Sequence, residues 1–336
     1  MDIRKQSIYP VEVWDITETE FKKENNYRNE TTFALSNGYI GTRGTLEEAY
    51  AFDIDTGLEG NFVNGFYESE KIRYGEANFG SPLWSQSLLN LPNLKETHVI
   101  LDGEEFTMEQ GKVEEYARIL HMKEAILERK LLWTSPQGKQ TRIHIRRLVS
   151  IARKNIMAIE YEVTPMNYSG RIEFMSKLQA DVENHTRKTN PIVDYGPFGR
   201  KLDSDELRAD GDILYYEGTT QNSHLSVACG SSHGIWKDGA EQKNLEWKSS
   251  VGELEAEVVT GIQAEKGETV VLEKMICYTT SLDLGKEERK SFVLAELERA
   301  QEDGMQKLEK WQKEYMAKFW EAADVEIKGN EALQQG

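Results

Sequence analysis

Cysteine is scarce in this sequence. Cys229 and Cys277 are the only two, they lie far apart, and each sits in an apolar run typical of a strand. We therefore expect two buried free thiols in a reducing compartment rather than a disulfide. No C-x-x-C pair occurs, and none of the six histidines forms an H-x-x-x-H or H-E-x-x-H motif. A metal site is therefore not expected.

Long apolar runs and an excess of basic residues are also missing. No apolar segment approaches the ~20 residues that span a bilayer, and the opening MDIRKQSIYP lacks the apolar core of a signal peptide. There are 41 basic and 58 acidic residues, which gives a net charge of −17. Such a chain repels nucleic acid and anionic membranes, so we expect neither as a partner. These features indicate a cytoplasmic protein.

Helical periodicity is missing from residues 125–280. In its place, short segments of alternating apolar and polar residues follow one another, as in AILERKLLWT (125–134) and KQTRIHIRRL (139–148). Residues 155–163 repeat the pattern, with one face apolar and the other acidic. Antiparallel segments at this spacing predict a mainly β protein built on a large antiparallel β-sandwich, or supersandwich. They exclude a doubly wound α/β fold.

Four strand pairs are predicted within this region from the turns that separate them. They are 125–134 with 139–148, 155–163 with 171–178, 213–217 with 224–229, and 254–264 with 269–280. The polar segment 180–212 interrupts the series. Because it carries Pro191, Gly196, Pro197 and Gly199, it is predicted to be a long loop at one end of the sandwich.

The composition changes at residue 281. Residues 285–322 have dense mixed charge, which together with their apolar spacing predicts helices. Leu308, Trp311, Tyr315 and Phe319 form one apolar stripe at helical spacing, and Gly304 is expected to separate two helices. The chain is thus divided into a sandwich over residues 1–280, a helical linker over 281–323, and a remainder over 324–336.

A glycine-rich stretch at residues 29–50 reads NETTFALSNGYIGTRGTLEEAY. Its glycines follow G-x-x-G-x-x-G, which differs from the dinucleotide fingerprint G-x-G-x-x-G. The S-N-G turn signal predicts a hairpin, and glycine at this density predicts close approach to another element. Arg43 lies between two of the glycines. It is expected either to form an ion pair with Glu30 or Glu47 or to reach a substrate pocket, and the ion pair is preferred.

The same stretch resembles the opening signature of the maltose, trehalose and kojibiose phosphorylases, glycoside hydrolase family 65. The shared pattern is N-E-T-x-F-x-L-S-N-G-Y-I-G-x-R-G-x-x-E-E, with about a dozen identities in register. The later runs GNFVNGFYE and SQSLLNLPN resemble the trehalose and kojibiose side of that family. The resemblance covers essentially the whole chain.

The resemblance implies a β-sandwich, a helical linker and then an (α/α)6-barrel that holds the catalytic acid and the phosphate-binding groups. Residues 324–336 resemble the start of that barrel, with Asn330 where the family usually has an acid. No catalytic residue is therefore expected in this chain, and the chain alone is expected to be inactive. The full-length enzyme would be an inverting phosphorylase that converts an α-linked glucose disaccharide and inorganic phosphate to β-glucose 1-phosphate and the acceptor. The resemblance implies no metal and no organic cofactor for this reaction. The implied partners are the barrel, the disaccharide and a second copy of the chain in a homodimer.

Two alternatives to such a phosphorylase remain open. The sandwich is either a free-standing carbohydrate-binding module or the N-terminal domain of a related trehalose or maltose hydrolase. Candidates for a substrate rim or an interface are Arg43, His185, Arg187, Tyr195 and Phe198, since loops at sandwich ends collect binding residues. Four tryptophans, Trp84, Trp133, Trp236 and Trp247, could stack on sugar rings, although a packing role is commoner for each of them. The doublets Glu47-Glu48, Glu104-Glu105 and Glu114-Glu115 are interpreted as solvated charges.

Overall fold

The computed structural model describes residues 8–48, 57–76, 79–185, 193–194 and 196–335. The helices are α1 (Lys23–Thr32), α2 (Lys286–Ala323) and α3 (Glu331–Gln335). The strands are β1 (Asp15–Glu18), β2 (Leu35–Ser36), β3 (Ile40–Thr42), β4 (Asn61–Val63), β5 (Tyr67–Lys71), β6 (Arg73–Tyr74), β7 (Trp84–Leu88), β8 (Thr97–Leu101), β9 (Glu104–Glu105), β10 (Lys112–His121), β11 (Ile126–Thr134), β12 (Gln140–Val149), β13 (Ile156–Pro165), β14 (Gly170–Gln179), β15 (Val193–Asp194), β16 (Leu202–Asp210), β17 (Ile213–Thr220), β18 (Ser226–Lys237), β19 (Ala240–Glu241), β20 (Lys248–Val251), β21 (Glu255–Ala264) and β22 (Val270–Thr280).

Two antiparallel sheets form the body of the molecule. The larger has ten strands in the order β1-β10-β11-β12-β13-β22-β18-β17-β16, with β19 beside β18. The smaller has five strands in the order β20-β21-β14-β8-β9. Side chains from both sheets share one core, in which the rings of Tyr161 and Phe174 lie 6.1 Å apart between centroids. The predicted β-sandwich is confirmed.

The larger sheet is buried on both faces at its centre. On β13, Met157 and Ile159 face the smaller sheet, whereas Ile156 and Ala158 face α2. The helix covers that second face with Val293, Leu297, Ala300, Met305 and Leu308. The chain therefore forms three layers, in which the larger sheet lies between the smaller sheet and the helix. This position explains why β13 is almost continuously buried instead of alternating along its whole length.

Cys229 and Cys277 lie on neighbouring strands of the larger sheet, β18 and β22, but on opposite faces. Cys229 belongs to the core between the sheets, and Cys277 to the core under α2. Both are buried free thiols, as expected from the sequence.

Two of the four predicted strand pairs are present, and the other two are wrong. One wrong pair joined residues 155–163 to 171–178, but β13 lies in the larger sheet and β14 in the smaller one. β11 pairs with β12, and β17 with β18. β21 and β22 lie in different sheets, since β21 pairs with β14 and β20, and β22 with β13 and β18. The turn at 265–268 therefore carries the chain from one sheet to the other. Turn residues specify a reversal of direction, but they do not specify which sheet the next strand joins.

The predicted loop at 180–212 is shorter than the sequence suggested. Leu202–Asp210 forms β16, the edge strand of the larger sheet, which pairs with β17. Its sequence, LDSDELRAD, is polar because most of its side chains are exposed or half-buried. Charged side chains are typical of edge strands, where they oppose pairing with another molecule.

Gly304 divides α2 into two helical segments, as predicted. Its φ of 68° and ψ of 164° are not helical, so the segment that follows begins with unpaired backbone donors. The carboxylate of Glu273 on β22 accepts a hydrogen bond of 3.4 Å from the backbone N–H of Met305. The sheet thus caps the second segment of the helix. Within the described residues, no helix is both long and apolar enough to cross a membrane.

The predicted apolar stripe of the second segment meets the sheet only at its beginning. Leu308 is buried, whereas Tyr315 and Phe319 are 52% and 45% exposed. The buried face contains Gln312 and Met316 instead. Gln312 donates to the carbonyls of Ala125 and Val149 and accepts from the N–H of Ile151. A polar residue occupies this core position because it satisfies backbone groups at the strand ends.

The glycine-rich stretch forms the predicted hairpin from β2 and β3, to which β4 adds a third strand. Gly38, with a φ of +86°, occupies the turn, where positive φ favours glycine. Gly44 lies against the end of α1, since a Cβ there would be 2.6 Å from the carbonyl oxygen of Phe33. The predicted close approach to another element is therefore present at Gly44.

Two glycines of this motif should respond differently to alanine. In Gly44→Ala, the Cβ would meet backbone at 2.6 Å, so the hairpin must move, and we expect about 1–3 kcal/mol of destabilisation. In Gly41→Ala, the nearest atom is Ser36 Oγ at 3.9 Å, and we expect a change within about 0.5 kcal/mol. Urea unfolding followed by circular dichroism measures both. Equal losses in the two variants would contradict this assignment.

Candidate functional site

Three neighbouring strands of the larger sheet each direct an arginine from the same face of the sheet into the protein interior. Arg118 of β10 lies directly opposite Arg129 of β11, and Arg147 of β12 lies two positions from Arg129 in the register. Their exposed fractions are 1%, 3% and 1%. Like charges at facing positions repel, and a buried cation without a counter-charge is strongly unfavourable. The fold must therefore bring carboxylates to this place.

Glu47 and Glu48, at the end of the glycine-rich stretch, supply those carboxylates. Arg129 binds both oxygens of Glu48, with Nη1 to Oε1 at 2.6 Å, and also donates to Glu47 Oε2 at 3.1 Å. Arg147 donates from Nε to Glu47 Oε1 at 2.9 Å and from Nη2 to the carbonyl of Thr45 at 2.7 Å. Both glutamates are buried. The interpretation of this doublet as solvated charges is therefore wrong.

The arginines keep Glu47 ionised. Burial by itself would raise the pKa of Glu47, but the charges of Arg147 and Arg129 outweigh it and lower that pKa to about 2. A carboxyl group with this pKa carries no proton at neutral pH. Glu47 therefore cannot act as a general acid, and its role is to hold the chain in place.

A second ion pair, between buried Lys95 and partly exposed Glu59, lies on the other side of the glycine-rich stretch. Lys95 Nζ lies 2.6 Å from Glu59 Oε1 and donates to Thr42 Oγ1 at 2.7 Å and to the carbonyl of Arg43 at 3.2 Å. Burial lowers the pKa of Lys95 to about 8, although Glu59 opposes the shift. Glu59 also accepts from Thr45 Oγ1 at 2.6 Å. Buried charges therefore hold the stretch from two directions.

Arg43 forms the ion pair with Glu30 that the sequence favoured, with Nη2 3.4 Å from Oε2. It also donates from Nε to the carbonyl of Leu58 at 2.8 Å and from Nη1 to Thr31 Oγ1 at 2.9 Å. Its guanidinium lies over the ring of Tyr27, 5.2 Å from the centroid. These contacts hold the hairpin against α1. A role for Arg43 at a substrate rim stays a prediction.

The other candidate residues lie in the segment at 180–212. His185 and Phe198 are both half-buried, and Arg187 and Tyr195 lie outside the described residues. Next to His185, Asn184 donates to the carbonyl of Leu88 at 2.7 Å and accepts from the N–H of Asn90 at 2.8 Å. This contact joins the segment to the end of β7.

Asn90 connects that segment with the glycine-rich hairpin. Its side-chain oxygen accepts from the N–H of Asn61 on β4, at 2.9 Å. Since β4 pairs with β3, the described beginning of the 180–212 segment and the hairpin of Arg43 belong to one connected polar region. Whether His185, Arg187, Tyr195 and Phe198 contact a substrate stays a prediction.

The hairpin of β5 and β7 presents aromatic side chains to solvent. Trp84 is 60% exposed and Tyr67 is 37% exposed, and Phe79 and Leu83 in the connection are also exposed. The opposite face of the hairpin is anchored by Glu68, which is buried and accepts from the backbone N–H groups of residues 222 and 223 at 3.0 and 2.8 Å. The hairpin is therefore fixed on one side and open on the other.

A groove of about 1110 Å³ runs between α2 and the larger sheet at the Gly304 kink. One lysine, Lys243, faces it, against the acidic residues Glu160, Asp212, Glu241, Glu273, Glu298, Glu302 and Asp303. Burial, with the nearby charge of Glu160, raises the pKa of Glu273 to about 7. A groove of this charge repels phosphate. In the part of the chain that the structure describes, no three His, Cys, Asp or Glu side chains are grouped to hold a metal ion.

The sequence did contain a signal for the buried arginines. On β11, Arg129 shares its face with Leu127, Leu131 and Trp133, all of which are buried. An arginine that continues an alternating apolar face indicates a buried charge, which requires a buried partner. The sequence alone does not identify that partner, because Glu47 is 82 residues away along the chain from Arg129.

Removal of the Glu47 charge should strongly destabilise the protein. Glu47→Gln leaves Arg147 and Arg129 buried with one counter-charge fewer, and breaking such a pair typically costs about 3–5 kcal/mol. As a matched control, Glu115→Gln removes the charge of a side chain that is 66% exposed and lies 3.6 Å from Arg142. We expect this variant to lose less than about 1 kcal/mol of stability. Urea unfolding at neutral pH compares the two.

The same variants test the pH dependence. The pKa of Glu47 is about 2 in the folded protein, against 4.5 for an exposed glutamate. The unfolded chain therefore binds more protons between these values, and the stabilisation is lost as the pH falls from about 4.5 towards 2. The melting temperature of Glu47→Gln should fall less steeply over this range than that of Glu115→Gln. Parallel curves would contradict the low pKa.

Comparison with known proteins gives a consistent assignment. The family model for the glycosyl hydrolase family 65 N-terminal domain matches residues 16–319. An alpha,alpha-trehalose phosphorylase of Thermoanaerobacter brockii is 39% identical over 332 residues, which are 99% of this chain and 42% of that protein. A kojibiose phosphorylase of the same organism is 30% identical over 322 residues, 95% of this chain and 39% of that protein.

The fold is also found in a solved structure described as a kojibiose phosphorylase from the human microbiome. The TM-score is 0.81 at 17% identity, over 97% of this chain and 40% of that one. The chain thus spans about two-fifths of the length of the relatives it matches. On the family model and the identity to these relatives, the chain belongs to glycosyl hydrolase family 65 and carries that family's N-terminal domain.

Proposed function

We propose that this chain is the non-catalytic N-terminal part of an inverting phosphorylase. The whole enzyme would convert an α-linked glucose disaccharide, such as trehalose or kojibiose, and inorganic phosphate to β-glucose 1-phosphate and the acceptor. The observation that carries the proposal is the 39% identity to a trehalose phosphorylase across 99% of this chain but only 42% of that relative. The catalytic acid and the phosphate-binding groups would lie in the remainder of the enzyme.

The charge of the chain supports a non-catalytic role. The groove at the Gly304 kink is acidic, which opposes the binding of phosphate there. Glu47, the carboxylate most closely surrounded by arginine, is ionised and buried. An inverting glycosidic cleavage needs a protonated carboxyl group that faces the substrate.

The surface at the end of the chain supports a contact with a further domain. Beyond the buried part of α2, Tyr315, Phe319, Val325, Ile327 and Leu333 are exposed. Apolar side chains concentrated on one part of a surface are typical of interfaces. We infer that a catalytic barrel covers them, and that the enzyme works in the cytoplasm, where a sugar phosphate conserves the energy of the glycosidic bond.

The chain alone should show no phosphorolysis. Purified chain is incubated with trehalose, kojibiose or maltose and phosphate, and glucose 1-phosphate and free glucose are both measured. Neither is expected above the level without protein, while the trehalose phosphorylase of Thermoanaerobacter brockii serves as the positive control with trehalose. Formation of glucose 1-phosphate would contradict a non-catalytic role, and phosphate-independent release of glucose would favour a hydrolase.

A second candidate function is carbohydrate binding by the hairpin of β5 and β7. The observation in its favour is the exposure of Trp84 and Tyr67 on the open side of an anchored hairpin. Aromatic rings in such a position can stack on the apolar face of a pyranose. This function needs no second domain.

Carbohydrate binding can be measured by isothermal titration of the chain with trehalose and kojibiose. If the hairpin binds sugar, Trp84→Ala should weaken the affinity about tenfold, which corresponds to about 1.4 kcal/mol. Tyr315→Ala, which removes an exposed aromatic residue from α2, should leave it unchanged. No heat with the unmodified chain, or an equal loss in both variants, would remove this candidate.

A further inference from the structure

Two buried carboxyl groups face each other beside the kink of α2. Glu160 of β13 and Glu273 of β22 are directly opposite in the register, and they are 6% and 8% exposed. Like charges at facing positions repel, and burial adds to the cost of ionising both groups. Arg146 binds Glu160, with Nε 3.0 Å from Oε1, and it also binds Glu309 of α2. Among the described residues, Glu273 forms no ion pair and accepts only from the N–H of Met305.

The helix provides no free cation to Glu273. Its charged residues in the groove beside Glu273 are Glu298, Glu302 and Asp303. Cations do reach the last of these carboxylates, but both Arg153 and Lys307 are paired with it. The helix therefore faces Glu273 with further negative charge.

The sheet provides no free cation either. Asp212, Glu241 and Lys243 face the groove from that side, and the lysine lies 3.2 Å from Glu241. On β13, Glu162 is next to Glu160 on the strand but one, and His144 lies 3.2 Å from it. An ionised Glu273 would thus add a negative charge to surroundings that are already acidic.

A proton on Glu273 removes this charge. Burial, with the nearby charge of Glu160, raises the pKa of Glu273 to about 7, although the hydrogen bond from Met305 favours the anion. The proton belongs on Glu273 because Arg146 stabilises the ionised form of Glu160. The group therefore changes its charge close to neutral pH.

The position of Glu273 couples this charge to the helix. Its carboxyl group meets solvent at the groove between α2 and the larger sheet. An ionised carboxylate gains free energy from hydration, so ionisation favours states in which water enters the groove and the helix lies further from β22. Gly304, with a φ of 68°, interrupts the helix at this point, so the second segment can move while the first stays packed.

We propose that Glu273 is a pH-sensitive switch at the kink of α2. When it is protonated, the second segment of the helix packs on the sheet, and when it is ionised, that segment is loosened. Residues beyond the kink include the exposed Tyr315 and Phe319, so the switch would alter how these side chains are presented. This inference does not depend on the proposed function.

The sign of the pH dependence follows from the two states of the chain. The pKa of Glu273 is about 7 in the folded protein, against 4.5 for an exposed glutamate. The folded chain therefore binds more protons between these values. Its stabilisation by the proton is complete below about pH 4.5 and is lost as the pH rises through about 7.

The first test compares the melting temperatures of the unmodified chain and Glu273→Gln between pH 5 and pH 8. Glutamine keeps a side-chain oxygen for the N–H of Met305 but cannot ionise. The variant should gain at least about 2 °C relative to the unmodified chain as the pH rises over this range. Glu241→Gln is the matched control, because it removes a 48% exposed carboxylate from the same groove, and its curve should run parallel to that of the unmodified chain. A parallel curve for Glu273→Gln would overturn the proposal.

Amide hydrogen exchange measures the helix directly and needs no variant to fold. In the unmodified chain, the protection of residues 305–311 is compared with that of residues 293–300 in the first segment, with labelling times corrected for the intrinsic effect of pH. The ratio should fall at least about fivefold between pH 5.5 and pH 8, and Glu273→Gln should keep one ratio at both values. An unchanged ratio in the unmodified chain would show that this proton does not control the helix, and the switch would be rejected.

Discussion

The structure depends on the ion pairs that Glu47 and Glu48 form with Arg129 and Arg147, two buried arginines of the larger sheet. Without these carboxylates, Arg129 and Arg147 would be buried near each other with no counter-charge on the same face of β11 and β12. Breaking one such pair costs about 3–5 kcal/mol, whereas a domain has only about 5–15 kcal/mol of stability in total. The glycine-rich stretch is therefore an integral part of the sandwich. Its glycines allow the backbone to pass close to α1, and its glutamates then reach the sheet.

The same principle organises the opposite face of the larger sheet. There Glu273 caps the second segment of α2 at Met305, and Arg146 joins Glu160 of β13 to Glu309 of the helix. These polar contacts fix the kink, while the apolar core beneath the first segment fixes the helix on the sheet. The helix is thereby held rigidly at its beginning and leaves apolar side chains exposed towards its end.

Particular elements show where prediction from sequence ends. The alternation of apolar and polar residues predicted β11, β12 and β13 and their approximate bounds. It also predicted which face of β13 meets the smaller sheet. The pairings of β13 with β14 and of β21 with β22 were predicted wrongly, because these strands alternate and the turn between each pair is a normal hairpin turn. Only the competition between two sheets places β21 beside β14 and β22 beside β13. In the same way, the polar sequence of β16 suggested a loop, since an exposed edge strand has no apolar face to reveal it.

Local sequence patterns predicted the class of the fold, the boundary between the β region at residues 125–280 and the helix that follows it, and the family signature at residues 29–48. They did not predict α1. The features that they predicted are local properties, because alternation, turn residues and a motif are each contained in a short segment of chain. Which charged side chains are buried follows only from the way the sheets pack. Glu47 and Glu48 are indistinguishable in sequence from Glu114 and Glu115, yet the first two meet arginines about 80 to 100 residues away and the others remain at the surface. Burial is a property of the packed sheets, and no short segment contains it.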